Sequence, residues 1–158
     1  MLKKNLKNFK NHSLMDNNIT NDDVKNLIKF LKNNKKRIFT QSQKVREFEA
    51  KWSKWLGVKY SVFVNSGSSA NLLSIYSLRI LRGNGEIIVP TLTWISDIAS
   101  VIQCGFKPVF VDINPKNLAM DENQIIDNIN SKTKAVFLSH IQGFNGLSEK
   151  LLKFLKKK

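Results

Sequence analysis

Asn65-Ser66-Gly67-Ser68-Ser69 sets three hydroxyls around one glycine, between an apolar run from Tyr60 to Val64 and a stretch with Leu72, Leu73, Tyr76 and Leu81 at helical spacing. Residues of this kind at a strand-to-helix turn can hold a phosphate. The first turn of a helix has backbone N–H groups without intrahelical acceptors, and the peptide dipoles place partial positive charge there, worth about 0.3–1 kcal/mol to a nearby anion. The pattern starts the helix near Ser68 or Ser69, with Gly67 allowing close approach of the backbone and Ser66, Ser68 and Ser69 adding hydroxyl donors. The plainer reading, in which Ser68 or Ser69 only caps the helix, fits the turn taken alone slightly better. No Lys follows as a Walker A loop requires, and neither G-x-G-x-x-G nor a G-x-S-x-G elbow is present. Nucleoside triphosphate, dinucleotide and serine-hydrolase readings therefore lose their motif.

A second turn of the same kind follows. After Gly83-Asn84-Gly85 comes a buried-type strand, Glu86 to Val89, and then Thr91-Leu92-Thr93-Trp94-Ile95-Ser96-Asp97 at the entry to another helix. In a parallel sheet such turns all lie at the carboxyl ends of the strands, so Trp94 and the Ser66 to Ser69 turn can face one crevice. An indole there can stack on a flat ring whose phosphate sits on the first helix; the alternative is that Trp94 is only core. His140, in the loop Ser139-His140-Ile141-Gln142-Gly143-Phe144-Asn145-Gly146, falls at the same edge and can touch cofactor or substrate. A lone His without an acidic neighbour in sequence is more often a hydrogen-bonded structural residue.

The elements that must position these residues follow from periodicity. Met1 to Asn18 is polar and aperiodic, a flexible arm. Thr20 N-caps a first helix with Asp22 and Asp23 in its first turn and Val24, Leu27, Ile28 and Leu31 on one face. Ser42 to Leu56 reads as a second helix, with Val45, Phe48, Trp52 and Trp55 as a packing stripe and Gly57 as its stop. From Tyr60 onward strands at Tyr60 to Val64, Glu86 to Val89, Pro108 to Val111 and Ala135 to Ser139 alternate with helices near Ser69 to Leu81, Ser96 to Gln103 and Asp121 to Ile129. This alternation predicts an α/β three-layer sandwich with a mostly parallel sheet. A last helix, Ser148 to Lys158, presents Leu151, Leu152 and Leu155 with nothing after it to bury against, which predicts marginal solubility or self-association.

Asn65-Ser66-Gly67-Ser68-Ser69-Ala70-Asn71-Leu72-Leu73, Ile88-Val89-Pro90-Thr91-Leu92-Thr93-Trp94 and Gly105-Phe106-Lys107-Pro108-Val109-Phe110-Val111-Asp112-Ile113, in that order, resemble the pyridoxal-phosphate-dependent nucleotide-sugar aminotransferases of the DegT and StrS type. The likeness begins near Ile19 and runs to the end of the chain. It implies the amino-terminal portion of the large domain of a fold type I transferase over residues 19–158, pyridoxal 5'-phosphate as cofactor, a nucleotide-sugar substrate, a keto-deoxysugar to transaminate and a homodimeric full-length enzyme. It also implies that the turn at Gly67, Ser68 and Ser69 binds the cofactor phosphate and that Trp94 stacks on the pyridine ring. The turn with Asn71 is closer to the sugar 3-dehydratase branch, in which a His replaces the Lys of the internal Schiff base. By the same resemblance that Lys or His, and the Asp that pairs with the pyridinium nitrogen, fall beyond Lys158. No catalytic residue is then expected within this chain, and a noncatalytic truncated fragment is the competing reading.

Composition narrows the partners. The chain has 158 residues, 42% hydrophobic, with a net charge of +14. That balance raises nucleic acid or an acidic membrane as partners, but the basic residues are dispersed apart from Lys3-Lys4, Lys35-Lys36-Arg37 and Lys156-Lys157-Lys158, without interleaved aromatics. A compositional bias accounts for them, and no nucleic-acid partner is expected. Cys104 is the only cysteine, so neither an intrachain disulfide nor a thiolate cluster can form, and His12 and His140 have no ligand-like spacing. No metal is expected. A reducing cytoplasm fits, and no apolar run approaches the length of a membrane span.

Overall fold

The computed structural model describes residues 18–33, 35 and 38–157. The expected amino-terminal arm lies outside these residues except for Asn18. The chain divides into two compact units, Met1–Phe63 and Val64–Lys158.

In the first unit, helix α1 (Asn21–Asn33) is opened by a reciprocal cap. The Asp23 N–H donates to Thr20 Oγ1 at 3.2 Å, and the Thr20 N–H donates to Asp23 Oδ2 at 2.8 Å. Two orphan donors of the first turn are satisfied at once. Helix α2 (Gln43–Leu56) ends where Gly57 takes φ 75°, the left-handed conformation that favours glycine. The rings of its stripe meet one another, Phe48 stacked on Trp52 at 5.8 Å and Trp52 against Trp55 at 4.9 Å, but all three stay exposed rather than packed into a core.

The strand expected over Tyr60 to Val64 does not form. A strand exists only through a neighbour's ladder, and none of the described strands pairs with this run. Its groups are instead taken up by α2. The Phe63 N–H donates to Glu49 Oε1 at 2.8 Å, the Ser53 hydroxyl bonds that of Ser61 at 2.9 Å, and the Phe63 ring meets Phe48 edge-on.

The second unit is the parallel layer. Its elements are α3 (Gly67–Arg82), β1 (Glu86–Pro90), α4 (Ile95–Gln103), β2 (Lys107–Val111), α5 (Glu122–Asn128), β3 (Thr133–Val136), a 3-10 turn (Ile141–Gly143) and α6 (Glu149–Leu155). The three strands lie in the order β2-β1-β3, both pairs parallel, with Ile88 opposite Val109 and Val136. Central β1 is apolar on both faces, as a strand covered on both sides must be. Ile87 and Val89 pack with Ile75 of α3 and Val101 of α4, whereas Ile88 packs with Val111, Met120, Ile125 of α5 and Leu151 of α6. Helices thus cover both faces of the sheet, the expected three layers.

The close entry into β1 requires Gly85. A Cβ there would stand 2.4 Å from the Lys132 carbonyl oxygen, inside contact distance. Contrary to the expectation for the last helix, Leu151 is 1% exposed and the half-buried Leu155 packs against the same cluster, so α6 closes the α5 face and leaves Leu152 exposed. Ser148 caps α6 by accepting from the Leu151 N–H at 3.0 Å and donates its own hydroxyl to Glu122 of α5. Periodicity identified the helix but not the partner that buries it.

Candidate functional site

Helix α3 starts at Gly67, and its cap is Ser66 rather than Ser68 or Ser69. Ser66 is extended (φ −160°, ψ 161°), and its Oγ accepts from the Ser69 N–H at 3.2 Å. Ser66, Ser68 and Ser69 have equal capping propensity, so only the backbone conformation decides among them. The Ser69 hydroxyl donates to Asn65 Oδ1 at 2.7 Å, so its single proton is committed within the chain. Ser68 is exposed, and its hydroxyl has no partner among the described residues. The N–H groups of Gly67 and Ser68 likewise lack an acceptor there. A Cβ on Gly67 would meet nothing within 4 Å and its φ is not positive, so the chain's own packing does not require glycine. The space that glycine leaves open lies beside two free amide donors and a free hydroxyl at the positive end of a 16-residue helix. That donor set fits a phosphate group.

Trp94 occupies the cap position of α4 with its indole 75% exposed, far from the core alternative. Two residues on, Ser96 joins Ser68, Ser69, Ser100 and Gln103 in a cleft of about 270 Å³ between α3 and α4, its apolar wall Leu72 and Ala99. His140 lies in the loop after β3. Its Nδ1 accepts from the Gly146 N–H at 3.0 Å, which leaves the proton of the neutral ring on Nε2.

Sequence reasoning passed over Asp97. This carboxylate is 9% exposed, and among the described residues no cation is its partner. Asn71 Nδ2 donates to its Oδ1 at 2.7 Å, and Ser139 Oγ donates to its Oδ2 at 3.1 Å beside the Thr93 hydroxyl, which also donates to Oδ2. The donors come from positions 26, 4 and 42 residues away. A local motif cannot contain such a set; the available signal was an acidic residue in the first turn of α4 between the hydroxyls of Thr93 and Ser96 and the apolar Ile98. Among the described residues no cluster of three or more His, Cys, Asp and Glu can hold a metal, and no helix is long and apolar enough to cross a membrane.

The carboxyl edge of this parallel α/β layer thus carries a helix terminus with donors unpaired among the described residues and an exposed indole. The chain belongs to the DegT/DnrJ/EryC1/StrS aminotransferase family, whose pattern it matches over residues 17–154. It is 34% identical over 106 residues to the GDP-perosamine synthase of Vibrio cholerae, covering 67% of this chain and 29% of that protein. With the GDP-4-keto-6-deoxy-D-mannose 3-dehydratase of Yersinia pseudotuberculosis it shares 37% identity over 112 residues, 67% of this chain and 28% of the other. The solved E. coli GDP-4-keto-6-deoxy-D-mannose-3-dehydratase with bound hydrated PLP has the same fold over 81% of this chain and 33% of its own, with a TM-score of 0.72 at 30% identity. The chain spans less than a third of the length of these relatives and corresponds to the amino-terminal portion of the family's fold.

Proposed function

We propose that this chain is the amino-terminal, cofactor-phosphate-binding part of a pyridoxal-phosphate-dependent nucleotide-sugar aminotransferase that transaminates a keto-deoxysugar nucleotide. One observation carries the reading: the N–H groups of Gly67 and Ser68 and the Ser68 hydroxyl, unpaired among the described residues, lie together at the start of α3, and Ser68 lines the cleft that Ser96 of α4 shares. Pyridoxal phosphate, when bound, supplies the electron sink of the chemistry. The chain's own residues hold and orient it. Gly67 and Ser68 grip the phosphate through amides and hydroxyl, Ser69 gives a tightly held turn, and Trp94 offers the face of its indole to the ring. His140, with Nε2 as donor, is assigned to the substrate. The enzyme is taken to be a cytoplasmic homodimer.

A second reading, a sugar 3-dehydratase of the same family, is favoured by Asn71 in the phosphate turn and by the 37% identity to the Yersinia pseudotuberculosis dehydratase. Both readings place the same cofactor on the same turn. Calorimetric titration of the protein with pyridoxamine 5'-phosphate and, separately, with pyridoxamine tests the shared claim. The phosphate ester is expected to bind one per chain, and the compound without phosphate about tenfold more weakly or worse. Equal affinity for the two compounds, or no binding of either, contradicts it.

A further inference from the structure

Asp97 is a buried acid with no counter-ion among the described residues. In such a place a carboxylate persists only when neutral donors satisfy its oxygens, and those donors are then fixed by it. Asn71 is in the second turn of α3, one turn beyond the free amides of Gly67 and Ser68. Thr93 immediately precedes Trp94, and Ser139 immediately precedes His140. The Thr93 and Ser139 hydroxyl oxygens lie 2.7 Å apart around Asp97 Oδ2, and Ser96 donates to Oδ1 at 3.4 Å. One side chain therefore ties together the start of α3, the turn that carries the indole and the loop that carries the histidine.

We propose that Asp97 is a positioning residue for the cofactor site: its carboxylate holds the α3 terminus and the Trp94 turn in the mutual arrangement that lets one ligand engage both. The proposal rests on the phosphate-and-ring reading above and extends it to a residue that touches neither phosphate nor ring. It follows from the donor pattern. Oδ1 is taken by Asn71 and Oδ2 by Thr93 and Ser139, so an amide in place of the carboxylate presents an N–H₂ group to at least one hydroxyl that now donates. Asp97→Asn keeps the shape and breaks the pattern.

The test is a double-mutant cycle in a Trp52→Phe, Trp55→Phe background, in which Trp94 is the sole tryptophan and its fluorescence reports pyridoxamine 5'-phosphate. A second background with Trp94→Ala is followed by calorimetry. Asp97→Asn is expected to lower affinity about tenfold with Trp94 present and less than about threefold with Trp94→Ala, because losses at coupled positions do not add. A merely structural Asp97 gives the same fold-loss in both backgrounds, and that result overturns the proposal, as does unchanged affinity in folded Asp97→Asn. Where Asp97→Asn does not fold, Asn71→Ala and Ser139→Ala, each removing one donor, take its place with the same expectation. Hydrogen exchange of the ligand-free protein keeps the two claims separable. Asp97→Asn should speed exchange at Ser69 to Asn71 and at Thr93 to Ile95 together. If the unsubstituted protein fails to bind pyridoxamine 5'-phosphate, the cofactor reading falls, and exchange that changes only within α4 overturns the positioning claim as well.

Discussion

Ser68 and Ser69 are chemically identical neighbours with different obligations. The Ser69 proton is spoken for by Asn65 Oδ1, whereas that of Ser68 has no acceptor among the described residues, so of the two only Ser68 can give a hydroxyl hydrogen bond to an anion without giving one up to do so. Ser68→Ala is therefore expected to weaken pyridoxamine 5'-phosphate binding by about 1.5–3 kcal/mol, the worth of a hydrogen bond to a charged group. Ser69→Ala should cost less affinity and more helix stability. Calorimetric titrations and thermal melts of the two variants check this, and equal affinity losses would return Ser69 to the phosphate. Trp94 is argued from exposure rather than composition. Trp94→Ala should lower affinity for pyridoxamine 5'-phosphate while leaving the melting temperature nearly unchanged, because an indole 75% exposed buries little area; Trp94→Phe should retain most of the affinity because a π-face remains. A large fall in melting temperature with Trp94→Ala would restore the core reading.

At the scale of elements, the helix periods, the β1 and β2 strands and the Gly57 stop were legible because each is a local property of a few consecutive residues, whereas the strand expected over Ala135 to Ser139 is β3 at Thr133–Val136, placed by its ladder with β1. What was not legible depends on distant partners. Tyr60 to Val64 has the composition of a strand, but composition does not supply a ladder, and α2 takes its polar groups. The Ser66 cap was hidden by two neighbouring serines of equal propensity. Asp97 was hidden because its donors are far apart in sequence, and Leu151 because α5, which helps to bury it, is more than 20 residues upstream. The α5 to α6 contact also carries a pH signature. The Ser148 hydroxyl first, and then the Lys150 ammonium at 2.9 Å, hold the Glu122 carboxyl below the usual carboxylate range. A folded value below the unfolded one means that the contribution to stability is present above the unfolded pKa and is lost as pH falls through the folded one. Melts of the protein and of Glu122→Gln should therefore differ at neutral pH and converge as pH drops below about 4. A difference that persists at acidic pH would assign the effect to packing.

At the scale of the whole molecule, the second unit is a sheet covered on both faces, and α6 is what covers one of them. Leu151→Ala removes a side chain 1% exposed from the cluster that holds Ile88, Val111 and Ile125, and is expected to cost about 2–5 kcal/mol, read from the urea midpoint. A loss under 1 kcal/mol would mean that α6 is peripheral and would restore the view of its apolar face as unpartnered. The net charge of +14 adds a background attraction for any anion, so a phosphate ester can be drawn weakly to many lysines. Affinity alone does not separate that from a site; location does.

The measurement that does so is the amide spectrum of ¹⁵N-labelled protein titrated with pyridoxamine 5'-phosphate at physiological salt. The largest shifts are predicted at the Gly67, Ser68 and Ser69 amides and at the Trp94 indole N–H, moving together along one saturating curve. Shifts spread over the lysine-bearing surface, or saturation elsewhere while Gly67 to Ser69 stay fixed, would contradict the assignment of this turn to the cofactor phosphate.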